Sequence, residues 1–282
     1  MQKRPYGTTG IDLSVVGFGG ILVMNESATE SSRLVAKAID ADINYFDVAP
    51  SYGNAQEMLG PALQPYRNDV FLACKTGKRT AAEAEQELHE SLRLLKTDHI
   101  DLYQHHAVTT MEDVETILGP GGAMETFLKA KRDGTIRFLG FSAHSEEAAL
   151  ALFDAHDFDS ILFPVNWVTW NTGKFGPNVL ERAQQKGAAI LALKAMAKRK
   201  WYDEKEREAW PKCWYRPVET FAEAELGLRF TLSKPVTAAV CPGHEQFLDW
   251  MLQAEPEFTP LSEREEEELA ARARGLDPIF AH

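Results

Sequence analysis

A (β/α)8 TIM barrel with a short N-terminal hairpin is the fold this sequence predicts, and three observations predict it. Eight short, apolar, β-rich runs recur along the chain, and segments with helical spacing lie between them. The length, 282 residues, exceeds a usual single-core domain but suits a barrel of about 250 residues. The runs themselves are nearly continuous in apolar residues, as expected when both faces of a parallel sheet are covered.

The runs start at Val15 (VVGFGG), Tyr45 (YFDVA), Val70 (VFLACKT), Ile100 (IDLYQHH), Ile136 (IRFLGFSAH), Ser160 (SILFPVNW), Ala189 (AILALKAM) and Thr237 (TAAVCPG). Ahead of the first, Tyr6 to Ser14 with Gly7 and Gly10 as turn residues reads as a hairpin plugging the barrel floor. Thr80 to Glu83 has the form of a capping box, and Leu88, Leu92 and Leu95 then recur at helical spacing. Lys186–Gly187 fits a helix end with glycine just beyond it. The acidic run Glu263 to Glu268 reads as the solvated face of a helix near the C-terminus. No composition break or low-complexity linker divides the chain, so residues 1–282 are expected to form a single barrel domain. An open doubly wound sheet is the competing architecture. Its dinucleotide fingerprint is incomplete: after GFGG at Gly17 to Gly20, position 22 is Leu22 where a third glycine belongs.

Composition narrows the partners. There are 30 Lys plus Arg against 42 Asp plus Glu, a net charge of −12, which argues against nucleic acid as the main partner. No stretch approaches ~18 consecutive apolar residues, so no transmembrane helix is expected. The opening residues lack the apolar region of a signal peptide. Cys74, Cys213 and Cys241 are odd in number and far apart, which predicts no disulfide framework and a reducing, cytoplasmic location. Oligomeric state is not legible.

Two connecting segments are long for a barrel, Ala107 to Gly122 and Lys198 to Pro217, and both follow strand C-terminal ends, where barrel active sites are built. The second carries Trp201, Trp210, Trp214, Tyr202 and Tyr215. These aromatics either line a substrate pocket or pack against an outer helix or a partner subunit.

Four residues carry chemistry. Asp47, Lys75 and His106 fall near the ends of strands 2, 3 and 4, at steps of 28 and 31 residues, each about one βα unit. They therefore share one barrel rim. Tyr52 lies five residues after Asp47, on the loop leaving strand 2, and can fold back over the mouth. A buried Lys and Asp are costly unless paired, and an ion pair alone would explain those two. It leaves the Tyr and the His unexplained. A free tyrosine has a pKa of ~10, and a neighbouring ammonium is expected to lower it by favouring the phenolate. Tyr52 then reads as a general acid tuned by Lys75, with Asp47 holding Lys75 and His106 donating a hydrogen bond to a substrate oxygen. Spacing alone yields a proton-transfer site.

The stretches NYFDVAPSYG (Asn44 to Gly53), FLACKTG with Lys75 and DLYQHH with His106 resemble the aldo-keto reductase superfamily. So do YGTTGIDLSVVGFGG (Tyr6 to Gly20), GTIRFLGFS (Gly134 to Ser142) and VCPG (Val240 to Gly243), in order along nearly the whole chain. The resemblance implies a barrel that binds NADP(H), or NAD(H), in extended form and passes a hydride to an aldehyde or ketone. It implies Tyr52 as acid, with Lys75, Asp47 and His106 around it. It also places Gly20, Ser142, Asn166, Lys194, Met196, Gly243 and His244 along the cofactor. His105, Trp201 and Trp214 are the expected substrate-pocket residues. Adjacent strand residues point to opposite faces, so replacing His105 should matter less than replacing His106.

The sequence departs from the family pattern at the cofactor. The usual Ser–Asn of strand 5 reads Ser142–Ala143–His144, and His144 either takes up the lost contact or faces solvent. Leu193 stands where a stacking Tyr is usual, and Lys194 after it either reaches cofactor phosphate or forms a salt bridge across the rim. Between Lys234 and Arg264 there is no Arg or Lys to meet a 2′-phosphate, and His244 is the one residue of PGHEQFLDW able to carry positive charge. Weaker discrimination between NADPH and NADH than the family norm is expected. Two other readings compete: a nucleotide-binding regulatory protein on the same fold, and a metal-dependent barrel hydrolase using His105 or His106 with His144.

Overall fold

The computed structural model describes all 282 residues. The eight apolar runs close into one parallel barrel, with strands β1 (Val16–Gly19), β2 (Tyr45–Asp47), β3 (Phe71–Thr76), β4 (Ile100–Val108), β5 (Ile136–Ala143), β6 (Ser160–Pro164), β7 (Ala189–Leu193) and β8 (Ala238–Val240). β8 pairs with both β7 and β1, which closes the ring and leaves no free sheet edge. The ring pulls β1 close to the end of β8: a Cβ on Gly19 would lie 2.2 Å from the Cys241 carbonyl oxygen, so only glycine fits there.

Helices fill the connections and cover the outside: α1 (Ala28–Asp40), α2 (Ala55–Leu63), α3 (Ala81–Leu95), α4 (Met111–Leu118), α5 (Ala123–Arg132), α6 (Glu146–Ala155), α7 (Trp167–Asn171), α8 (Pro177–Gln185), α9 (Glu204–Glu208), α10 (Phe221–Leu232), α11 (Glu245–Ala254) and α12 (Glu263–Ala273). Side-chain oxygens of Ser27, Thr110, Ser145 and Thr220 accept the free amides at the starts of α1, α4, α6 and α10. A full capping box occurs at Ser262 and Glu265, within the acidic run. The box expected at Thr80 is absent, because its hydroxyl turns to the Glu83 carboxylate at 2.6 Å instead of capping the backbone. Gly187 follows α8 at φ +69°, as the helix-end signal implies.

Two apolar cores result. The larger lies between strands and helices and includes Phe127, Phe141 and Phe153. The smaller fills the barrel, where Tyr45, Phe71, Leu102, Leu162 and Leu191 meet. The N-terminal hairpin pairs Lys3–Pro5 with Asp12–Ser14. It drives Tyr6, fully buried, into this inner core, where the hydroxyl donates to Ser160 Oγ at 2.8 Å and the ring lies 4.9 Å from that of Phe71. With the floor closed in this way, the opposite rim is the open end.

Both long segments are structured. The first contains α4. The second folds out as a ribbon, Ala197–Arg199 against Arg216–Pro217, with α9 at its tip. No helix is long and apolar enough to cross a membrane.

Candidate active site

Asp47 ends β2 and Lys75 lies one residue before the end of β3; their side chains are essentially sealed from solvent and form an ion pair. Gln104 Nε2 donates to Asp47 Oδ2 at 3.1 Å, and the Tyr45 hydroxyl donates to the same oxygen at 3.3 Å. Lys75 Nζ also donates to the Val48 carbonyl at 3.3 Å. Burial works to lower the Lys75 pKa, but Asp47 and Tyr52 outweigh it and the net direction is upward. The lysine is thus held as a cation beneath the rim.

Tyr52 folds back over this pair, its ring centroid 5.4 Å from Lys75 Nζ and 6.0 Å from the His106 ring. The sequence leads one to expect a lowered phenol pKa. The balance runs the other way: burial raises it most, Asp47 adds to the rise, and the pull of Lys75 does not overcome them. Tyr52 therefore keeps its proton at neutral pH.

His106 faces the same cavity. Burial, followed by the charge of Lys75, pushes its pKa down to about 3, so the ring is neutral, with one nitrogen a donor and the other an acceptor. Nδ1 lies 3.5 Å from Ser51 Oγ. The adjacent His105 points the opposite way, its ring stacked on Phe127 at 3.8 Å and fully buried. The expectation that His105 belongs to the substrate pocket is therefore corrected: strand alternation sends it into the helix layer.

The backbone after His106 is unusual. Ala107 adopts φ +50°, and the register of β4 with β5 shifts between His105 and Val108. A non-glycine residue in this region costs on the order of 1–3 kcal/mol and persists only where its surroundings hold it. Arg79 and Ser142 do so. Arg79 Nη2 donates to the His106 and Ala107 carbonyls at 2.9 and 3.3 Å, Arg79 Nε is fixed on Asp113 at 2.8 Å, and the Ala107 amide donates to Ser142 Oγ at 2.7 Å.

These groups open onto a cavity of about 510 Å³. Tyr52, Lys75, His106, Ser142 and His144 line it together with Lys194, Trp214, Tyr215 and Phe280. From it a narrower cleft runs along the rim past Lys194 to Gly19, Lys212 and Gly243. Trp214 is 55% exposed, and its ring lies 5.9 Å from that of Tyr52. Trp201 does not line the cavity. It packs against the outer core, so the substrate-pocket role expected for it is corrected. His144 stacks on Phe280 at 4.9 Å and borders the cavity instead of facing solvent.

The expected cofactor positions divide. Ser142, Lys194 and Gly243 border the cavity and cleft. Gly20 is buried beneath the cleft between its lining residues Gly19 and Ile21, against Val48. His244 is drawn aside, its Nε2 accepting from the Lys212 amide at 3.3 Å. Asn166 and Met196 are corrected. Met196 is fully buried in the outer core. Asn166 Oδ1 accepts the Val168 and Thr169 amides at 3.0 and 3.1 Å, while its Nδ2 donates to the Lys194 and Ala197 carbonyls, so its polar atoms are committed to the backbone. Cations missing from the segment after β8 arrive from elsewhere but are already paired: Arg33 and Lys37 of α1 with Glu245, and Lys212 with Glu26.

Several of these contributors escape sequence reading. Gln104 shares a strand face with His106 two residues on, and that period would have found it. Arg79, Lys212 and Phe280 reach the site by tertiary folding alone. No group of three or more His, Cys, Asp or Glu side chains converges to hold a metal ion.

A closed eight-stranded barrel with a paired lysine, a tyrosine and a histidine at its C-terminal rim defines the class. The Aldo/keto reductase family model matches residues 15–274. The chain belongs to that family. "Uncharacterized oxidoreductase YqkF" of Bacillus subtilis (strain 168) is 34% identical over 157 residues, covering 51% of this chain and 49% of that protein. L-galactose dehydrogenase of Arabidopsis thaliana is 29% identical over 157 residues, covering 50% and 48%. The chain thus spans about half the length of the curated relatives it matches. An aldo-keto reductase from Bacillus halodurans, in its holo form, superimposes with a TM-score of 0.75 at 25% identity, covering 99% of this chain and 98% of that one.

Proposed function

We propose that the chain reduces an aldehyde or ketone to an alcohol using NADPH or NADH, with Tyr52 as the proton donor. The supporting observation is the meeting of Tyr52, Lys75 with Asp47, and His106 at one cavity. A nicotinamide dinucleotide fits what is present. The cleft past Lys194 is bordered by Gly19 and Gly243, neither of which has room for a side chain: a Cβ on Gly19 would lie 2.2 Å from the Cys241 carbonyl oxygen and one on Gly243 2.5 Å from the Lys212 side chain. Gly19, Ser142, Lys194 and Gly243 would hold it, and when bound it supplies the hydride.

The remaining chemistry belongs to side chains. His106, neutral at working pH, offers an N–H to the substrate carbonyl oxygen and orients it toward Tyr52. As negative charge develops on that oxygen, Tyr52 delivers its proton there. The phenolate left behind faces Lys75, whose charge Asp47 keeps in place. Trp214 and Tyr215 also line the cavity, limiting water around the reacting oxygen.

Because Arg33, Lys37 and Lys212 are each engaged by carboxylates, a 2′-phosphate gains little, and discrimination between NADPH and NADH is weak. The test is cofactor oxidation by the purified protein over a panel of aldehydes and ketones, with kcat/KM measured for each cofactor. Turnover with less than about a tenfold cofactor preference, a difference of about 1.4 kcal/mol, is expected. Absence of oxidation with every carbonyl would refute the activity and favour a purely nucleotide-binding role. A thousandfold NADPH preference would refute the account of the paired cations.

A further inference from the structure

Gln104 lies on β4, two residues before His106 and on the same strand face. It is fully buried, and Leu102, two residues earlier on that face, belongs to the apolar core inside the barrel. A glutamine in such surroundings is costly unless its amide is used. Its Nε2 donates to Asp47 Oδ2 at 3.1 Å, whereas no protein group donates to its Oε1, which is buried as well. Turning the amide over would set that oxygen against the carboxylate, so the contact with Asp47 fixes the orientation and leaves Oε1 unpaired. A leucine or methionine would fill similar space with no orphaned acceptor. Packing alone therefore does not account for a glutamine here.

The amide divides the work of the carboxylate. Asp47 Oδ2 accepts from Gln104 at 3.1 Å and from the Tyr45 hydroxyl at 3.3 Å, which leaves Oδ1 for Lys75. The ammonium then meets one carboxylate oxygen, and it donates a second hydrogen bond to the Val48 carbonyl at 3.3 Å. Its third N–H is free for Tyr52, whose ring centroid lies 5.4 Å away. Without Gln104 the carboxylate can rotate and offer both oxygens to the ammonium, drawing Lys75 away from the tyrosine. Gln104 lines neither the cavity nor the cleft, so it acts only through these residues.

We propose that Gln104 is a positioning residue that keeps the Lys75 charge directed at Tyr52 and so sets how readily the phenol gives up its proton. Its part in catalysis rests on the proposed reduction, but its effect on the phenol does not. The other ionisable groups around these residues are Cys74 next to Lys75, His106 and Tyr215 near Tyr52, and Tyr45 beside Asp47. With Lys75 less well aimed, the phenolate is less stabilised, and ionisation of the phenol moves to higher pH.

Gln104→Leu and Gln104→Met remove the donor and Gln104→Glu replaces it, with thermal unfolding showing which variants are folded. A carboxyl in place of the amide donates to Asp47 while protonated and repels it once ionised. Fluorine NMR reads the phenol directly, with 3-fluorotyrosine in place of Tyr52 and the whole chain titrated with and without each Gln104 substitution. The midpoint is expected to rise by at least about half a pH unit when the donor is lost. In steady-state reduction kcat should fall at least about tenfold, with the carbonyl KM and the NADPH Kd within about twofold of native. The alkaline limb of the kcat profile should move upward with the midpoint. Gln104→Glu should retain most of kcat at the acid end of the profile and lose it as pH rises. A midpoint unmoved in a folded variant lacking the donor, or a kcat within about twofold of native, overturns the proposal. A shifted midpoint in a chain that reduces no carbonyl would refute the proposed reaction and leave the role of Gln104 standing.

Discussion

Replacing Lys75 by methionine removes the sole ion-pair partner of a carboxylate whose side chain is 2% exposed. Asp47 would keep its neutral donors, Gln104 at 3.1 Å and Tyr45 at 3.3 Å, the second long for a hydroxyl donor. Breaking a buried pair from one side typically costs about 3–5 kcal/mol, because the remaining charge stays desolvated. At roughly 2–4 °C per kcal/mol for a chain of this size, Tm is expected to fall by roughly 6–20 °C. The double variant Lys75→Met/Asp47→Asn removes the orphaned charge as well. It should recover at least about 1 kcal/mol of the loss, within the usual range of coupling between contacting residues. Urea unfolding and calorimetry at pH 7 on the native chain, both single variants and the double variant complete the cycle. A Lys75→Met variant within 1 kcal/mol of native, or a double variant as unstable as the sum of its singles, would refute the buried pair as the structure's electrostatic anchor.

Three histidines make stability depend on pH. His105, His106 and His144 are each pushed to about 3, chiefly by burial. The unfolded chain takes up these protons near pH 6.5 while the folded chain does not, so their contribution is complete above 6.5 and is lost as pH falls toward 3. Between pH 6 and pH 5 the three should cost about 3–4 kcal/mol together, and His105→Leu should remove about a third of that slope in urea titrations. A slope unchanged by His105→Leu would contradict the burial of that ring. Arg79→Met should release the His106–Ala107 turn and lower kcat by at least about tenfold, with cofactor affinity within twofold of native; native kcat would show that the turn holds itself.

Much of this was legible in the sequence because it is local. Each strand announces itself by its apolar run, and a step of about one βα unit carries Asp47, Lys75 and His106 to the same rim. Period-two alternation also separates His105 from His106. Illegible features depend on distances between parts remote in sequence. The phenol pKa of Tyr52 was misjudged because spacing shows its charged neighbours but not how far the fold desolvates its hydroxyl. Lys194 had two open readings, and only folding shows that no carboxylate crosses the rim to meet it. Trp201 and Trp214 are indistinguishable as letters; the ribbon turns one into the core and the other over the cavity.

The central claim concerns the proton on Tyr52. Substituting phenylalanine removes one oxygen from a partly exposed ring, so folding should be unaffected and NADPH affinity should stay within about twofold of native. The measurement is kcat for cofactor oxidation with a carbonyl substrate, native against Tyr52→Phe, with NADPH Kd determined on the same samples. Loss of the proton donor should lower kcat by about 10²–10⁴-fold. A Tyr52→Phe variant that binds NADPH normally and retains more than about a tenth of native kcat would contradict the assignment, since general acid catalysis contributes about a hundredfold or more.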